Sequence, residues 1–124
     1  MRKLDAPNRA NVGTDIHQGH FGNYVAPAKL PVNDVTYGGS WKVGPQQVVA
    51  GKDAEIDLHF HAKDVYIVMG GRGAVRATID GRPAGTIHVD AERLYTLRSS
   101  NTVGDGLLRL RFTPGIQAYS FTFG

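Results

Sequence analysis

Apolar and polar residues alternate with a period of 2 from Trp41 onward, the repeat of strands that bury one face. Residues 54–61 show it most cleanly. Ile56, Leu58 and Phe60 share one face, while Glu55, Asp57, His59 and His61 share the other. Residues 64–69 are almost continuously apolar and predict a central strand. Gly70-Gly71-Arg72-Gly73 then turns the chain, residues 74–79 alternate again, and Asp80-Gly81 is a dipeptide that closes tight hairpins. Further strands are predicted over 86–89, 93–98, 107–112 and 116–123, separated in the later part by breaks at 101–106 and Pro114-Gly115. A helix is the rival reading for 88–98, but Val89, Leu94 and Leu97 make a poor helical stripe. About eight or nine short strands punctuated by turns predict an all-β, antiparallel jelly-roll β-sandwich.

Residues 1–33 follow neither period. Asn8, Asn11, Asn23, Pro7, Pro27 and Pro31 read as an irregular, linker-like arm. Its apolar residues Ile16, Phe21, Tyr24, Val25 and Leu30 predict that it docks on a body formed by residues 34–124.

Composition narrows the function. Sixteen Gly and six Pro among 124 residues argue against a helical bundle. The net charge of +3 is too small for a nucleic-acid binder. With no cysteine, disulfide exchange, thiolate metal sites and thiol nucleophiles are excluded within the chain. The apolar run 65–69 is far shorter than the roughly 20 residues of a membrane helix, so no membrane insertion is expected. Met1-Arg2-Lys3-Leu4-Asp5 is not followed by an apolar segment, and no secretory leader is expected.

Three kinds of chemistry are worth weighing. His59-x-His61 places two imidazoles on one face of a strand, and Pro83-Ala84-Gly85-Thr86-Ile87-His88 has the form P-x-G-x-x-H. Together they resemble the two halves of the cupin metal site, which would make the chain a metalloprotein using His59, His61 and His88. The glutamate a cupin needs four or five residues after the second His is missing, since Val65 and Tyr66 stand there. The alternative is that these imidazoles line a polar sheet face, with no metal and no cofactor. For catalysis, Ser40, Ser99, Ser100 and Ser120 lie outside any nucleophile elbow, and Asp53, Asp80 and Asp105 have local reasons to sit at turns. No enzyme activity is expected. Rings beside Arg, His and Asp on a β surface suit sugars instead, the ring covering a pyranose face and the charges binding hydroxyls. Candidate ligand-binding residues are Trp41, His59, His61, Arg93 and Tyr95. Trp41 is equally at home in a core, and Tyr119, Phe121 and Phe123, spaced by 2, belong in one.

The tail carries a family resemblance. Arg93-Leu94-Tyr95-Thr96-Leu97, followed by Phe112-Thr113-Pro114-Gly115-Ile116-Gln117-Ala118-Tyr119-Ser120-Phe121-Thr122-Phe123-Gly124, resembles the end of DipZ-type proteins, thioredoxin-family members of the cytochrome c biogenesis group. Leu30-Pro31-Val32-Asn33, Gly38-Gly39-Ser40-Trp41-Lys42-Val43-Gly44 and Ile79-Asp80-Gly81-Arg82-Pro83 match similar segments in the same order. The resemblance implies a sandwich of the carbohydrate-binding-module or galactose-binding-like type. It also implies an extracytoplasmic setting, in the periplasm or cell envelope, beside a thioredoxin-like domain. The ligand so implied is a carbohydrate or envelope glycan. The absence of a C-x-x-C pair keeps the family's redox chemistry out of this chain.

Overall fold

Alternation survives in three dimensions as a two-layer sandwich whose inner faces are the apolar positions. The computed structural model describes residues 2–5, 21–24, 35–44 and 47–123. Its strands are β1 (Arg2–Asp5), β2 (Phe21–Tyr24), β3 (Val35–Val43), β4 (Val48–Ala50), β5 (Glu55–Ala62) and β6 (Val65–Gly70). They continue as β7 (Gly73–Ile79), β8 (Arg82–Val89), β9 (Arg93–Arg98), β10 (Gly104–Phe112) and β11 (Gln117–Phe123). Every pairing among them is antiparallel.

One layer runs β8-β7-β10-β5-β3, and the other runs β3-β4-β11-β6-β9, with β1 beside β11 and β2 beside β3. Strand β3 belongs to both layers. Val35 to Gly38 pair with β5, whereas Trp41 to Val43 pair with β4, so the strand changes sheets between them. Gly39 makes that bend with φ of 76°, and a Cβ there would collide with the carbonyl oxygen of Asp53. The core between the layers holds Tyr37, Trp41, Ile56, Leu58, Phe60, Ile67, Met69, Leu108, Leu110, Ile116 and Phe121, all fully buried.

Several sequence expectations hold. Asp80 and Gly81 form the two-residue turn between β7 and β8, with φ of 52° and 82°. The last strand pairs centrally, between β4 and β6. Others need correction. The arm is not irregular throughout: Arg2–Asp5 and Phe21–Tyr24 are strands, paired with β11 and β3. Main-chain hydrogen bonds to a neighbouring strand make no demand on side-chain periodicity, so such short additions leave no pattern to read. The docking residues Ile16, Val25 and Leu30 lie outside the described residues. Strand β8 begins at Arg82, not at 86, because Pro83 is tolerated on an edge strand. Strand β10 begins at Gly104 within a segment expected to be a break.

Candidate functional site: a charged recess at the sheet-switching bend

The polar face of β5 continues sideways into that of β10, its neighbour in the same sheet. The register sets Arg109 opposite Asp57 and Arg111 opposite Glu55. Arg109 donates from Nε and Nη2 to the two carboxylate oxygens of Asp57, at 3.2 and 3.4 Å. Arg111 Nε lies 3.3 Å from Glu55 Oε1, and Arg109 Nε reaches Glu55 Oε2 at 3.5 Å. The Asp57 contact is the larger cause holding the Arg109 guanidinium more firmly protonated than usual.

Glu55 and Arg111 also line a recess of about 480 Å³, together with Gly38, Gly39, Lys52, Asp53, Thr113 and Pro114. That volume is within the range of small-ligand sites. Its walls are the bend of β3, the turn before β5 and the connection from β10 to β11. Backbone hydrogen bonds fix these walls to one another: Ser40 N–H donates to Lys52 O at 3.0 Å, Phe112 N–H to Ala54 O at 2.9 Å and Gly115 N–H to Ala50 O at 2.8 Å. The loops that wall the recess are thus tied to the sheet by backbone hydrogen bonds.

Glu55 keeps its proton to a higher pH than an isolated glutamate. Burial is the leading cause, repulsion from Asp57 adds to it, and Arg109 and Arg111 oppose it. The folded state therefore binds more protons than the unfolded chain above pH 4.5, the ordinary value for this group. Its contribution to stability is fully present below that pH and is lost as pH rises through the folded-state pKa. Replacing Glu55 with Gln is expected to flatten the decline of Tm as the pH rises above 4.5. A Tm–pH profile identical to the wild type would show that Glu55 does not carry this linkage.

The residues singled out from sequence do not converge on one place. Trp41 is 0 % exposed: its indole N–H donates to Gly38 O at 2.8 Å, and its ring packs against Tyr37 and Phe112, both at 5.1 Å between centroids. A ring with no accessible face cannot stack on a ligand, so Trp41 is corrected to a core residue. Tyr95 is likewise corrected. It is 6 % exposed, and its hydroxyl donates to Ala91 O at 2.7 Å, fastening the turn between β8 and β9. Arg93 is exposed and lies over the Tyr95 ring, 4.6 Å from its centroid, with Asp90 at 3.5 Å. It stands on β9, an edge of the sheet that does not carry β5.

His59 and His61 do share the outer face of β5, as the alternation implies. His59 Nε2 is 2.7 Å from Asp105 Oδ1, and His61 is exposed opposite Asp105. His88 is elsewhere. Strand β8 is separated from β5 by β7 and β10, about 14 Å at the usual strand spacing. Along the sheet His88 pairs with Ala74, near Thr113 and far from His61. The triad needed by the cupin-like reading therefore does not assemble. Among the described residues no group of three His, Asp or Glu is placed to hold a metal ion.

Sequence reading missed Arg109, Arg111, Lys52 and Thr113. Arg109 and Arg111 alternate with Leu108, Leu110 and Phe112, so their outward direction was legible. Which strand they would face was not.

Comparison with known proteins bears on the fold and the family. A carbohydrate-binding module, CsCBM6-3 from Clostridium stercorarium in complex with cellobiose, superposes with a TM-score of 0.53 at 16 % identity, covering 99 % of this chain and 92 % of that one. A family two carbohydrate esterase from Clostridium thermocellum in complex with cellohexaose superposes with a TM-score of 0.64 at 24 % identity, covering 73 % of this chain and 31 % of the esterase. The fold is a carbohydrate-binding-module-like β-sandwich. The profile of the thioredoxin-like C-terminal domain matches residues 5–124, and the chain belongs to that family. Protein DipZ of Mycobacterium tuberculosis (strain CDC 1551 / Oshkosh) is 34 % identical over 99 residues, which is 79 % of this chain and 14 % of DipZ. The chain thus spans a small fraction of the relative it matches.

Proposed function

We propose that this domain is a non-catalytic module that binds carbohydrate, of the kind found in cell-envelope glycans, as an accessory to a thioredoxin-like domain. The observation that carries the reading is the recess in which a carboxylate and a guanidinium stand 3.3 Å apart, on Glu55 and Arg111. A carboxylate accepts from two hydroxyls and a guanidinium donates along a fixed fork, so the pair matches the vicinal hydroxyls along a pyranose edge. His59 and His61 continue the same polar face along β5 and extend the surface offered to a longer oligosaccharide. Two fold neighbours are named as complexes with cellobiose and cellohexaose, which supports the choice of ligand class.

Each polar contact replaces one with water, so the affinity expected is weak, about millimolar to high micromolar. Titration with cellobiose and cellohexaose, followed by NMR, is expected to shift Gly38, Glu55, Arg111 and Thr113. The Arg111 side chain is 70 % exposed, so Arg111→Ala should weaken binding at least tenfold, by roughly 1.4 kcal/mol, with little change in Tm. If no saccharide moves these signals, the domain is an accessory module without a glycan ligand at this recess.

A further inference from the structure

Arg98, at the end of β9, is held unlike Arg93, Arg109 and Arg111. Arg93, Arg109 and Arg111 each have a carboxylate partner. Arg98 makes no hydrogen bond or ion pair among the described residues, yet its Nε is buried without an acceptor. Its guanidinium carbon sits 5.1 Å from the centroid of the Phe60 ring. It also fills space that exists because residue 104 is glycine: a Cβ there would collide with Nη2 and stand 3.0 Å from Cζ. Two carboxylates of this end of the sandwich are engaged elsewhere. Asp105 is taken by His59, and Asp80 accepts the Leu107 N–H at 2.9 Å.

Nε is the one Arg98 nitrogen that is both buried and unpartnered among the described residues, so Nη1 and Nη2 keep access to solvent and are the donors that a ligand would meet. The ring and the glycine backbone fix the fork in advance, which removes the rotamer cost that a free surface arginine would meet on binding. The neighbouring loop, residues 99–103, adds Ser99, Ser100, Asn101 and Thr102, and ends in Val103, an apolar side chain 51 % exposed. Hydroxyl and amide groups beside an apolar patch suit a sugar ring more than a bare ion.

We infer that Arg98 forms a second binding site, which takes the carboxylate of an acidic saccharide such as a uronic acid. The site is at the opposite end of β5 from the Glu55 recess, because Gly104 pairs with Ala62 whereas Arg111 pairs with Glu55. About seven strand rises, roughly 23 Å, separate the two ends. The inference therefore stands or falls independently of the recess.

The test uses the whole chain and three probes: sodium glucuronate, glucose at equal ionic strength, and inorganic phosphate. Glucuronate is expected to shift the Arg98 Nη–H groups and the amides of Gly104 and Val103, while glucose leaves them in place and phosphate binds at least tenfold more weakly. Arg98→Met keeps an unbranched chain on the Phe60 ring and removes the charge. It should lose glucuronate binding without lowering Tm, since the unpaired Nε goes with it. Gly104→Ala, which displaces the fork while leaving the charge, should weaken glucuronate at least tenfold. Glucuronate affinity unchanged in Arg98→Met, equal shifts with glucose, or phosphate binding as tightly as glucuronate would each overturn the assignment. Failure at the Glu55 recess is read on different residues and leaves this result untouched.

Discussion

A chain shortened by residues 114–124 is expected to lose cooperative folding. The segment removes Ile116 and Phe121, both 0 % exposed, and with them the strand that pairs with β6 on one side and with β4 and β1 on the other. Burial of Ile116 and Phe121 alone is worth about 2–3 kcal/mol each, before the ladder hydrogen bonds and Ala118 are counted. Loss of β11 also opens the inner faces of Val65, Ile67 and Met69 and exposes a new edge on β6. A domain of this size has about 5–15 kcal/mol in total. Urea titration by circular dichroism should show a gradual slope in place of a transition. A sigmoidal transition retained in the shortened chain would make β11 an appendage.

Trp41→Ala should cost about 3–5 kcal/mol, the usual range for deleting a buried large aromatic side chain. The indole touches Tyr37 and Phe112 and closes the bend of β3 through its bond to Gly38. Trp41→Phe recovers part of the packing but not the hydrogen bond, and should lie between wild type and alanine. Denaturant midpoints measure both. A loss below about 1 kcal/mol in Trp41→Ala, together with lost sugar binding, would return Trp41 to the ligand surface.

The same strand shows why the candidate site was only half legible. Residues 38–41 read Gly-Gly-Ser-Trp, which places a bend before the tryptophan but not the direction of the ring. In the structure the bend carries β3 from one sheet into the other and delivers the ring between them. Tyr95 is a second case. Its parity with Arg93 was correct, but the Tyr95 ring turns inward, where the phenol finds the backbone of Ala91, while the exposed Arg93 lies over the ring. Glycine misled in a third way. Gly104 looks like a break, yet it is a strand residue whose missing side chain makes room for Arg98.

Local pattern alone determined the all-β class, the inward and outward residues of β5, β7 and β10, the Asp80-Gly81 turn and the central place of the last strand. Such features depend on neighbours within a few positions, where a period of 2 or a turn dipeptide is enough. Tertiary structure alone decided which strands face one another. Glu55 meets Arg111, and Asp57 meets Arg109, across more than fifty residues of chain, because β10 returns beside β5 in one register. It decided equally that His88 stands apart from His59 and His61, with two strands lying between. Side-chain direction is a property of the strand, but company is a property of the sheet order, and sheet order is set by how the whole set of apolar faces can be buried at once.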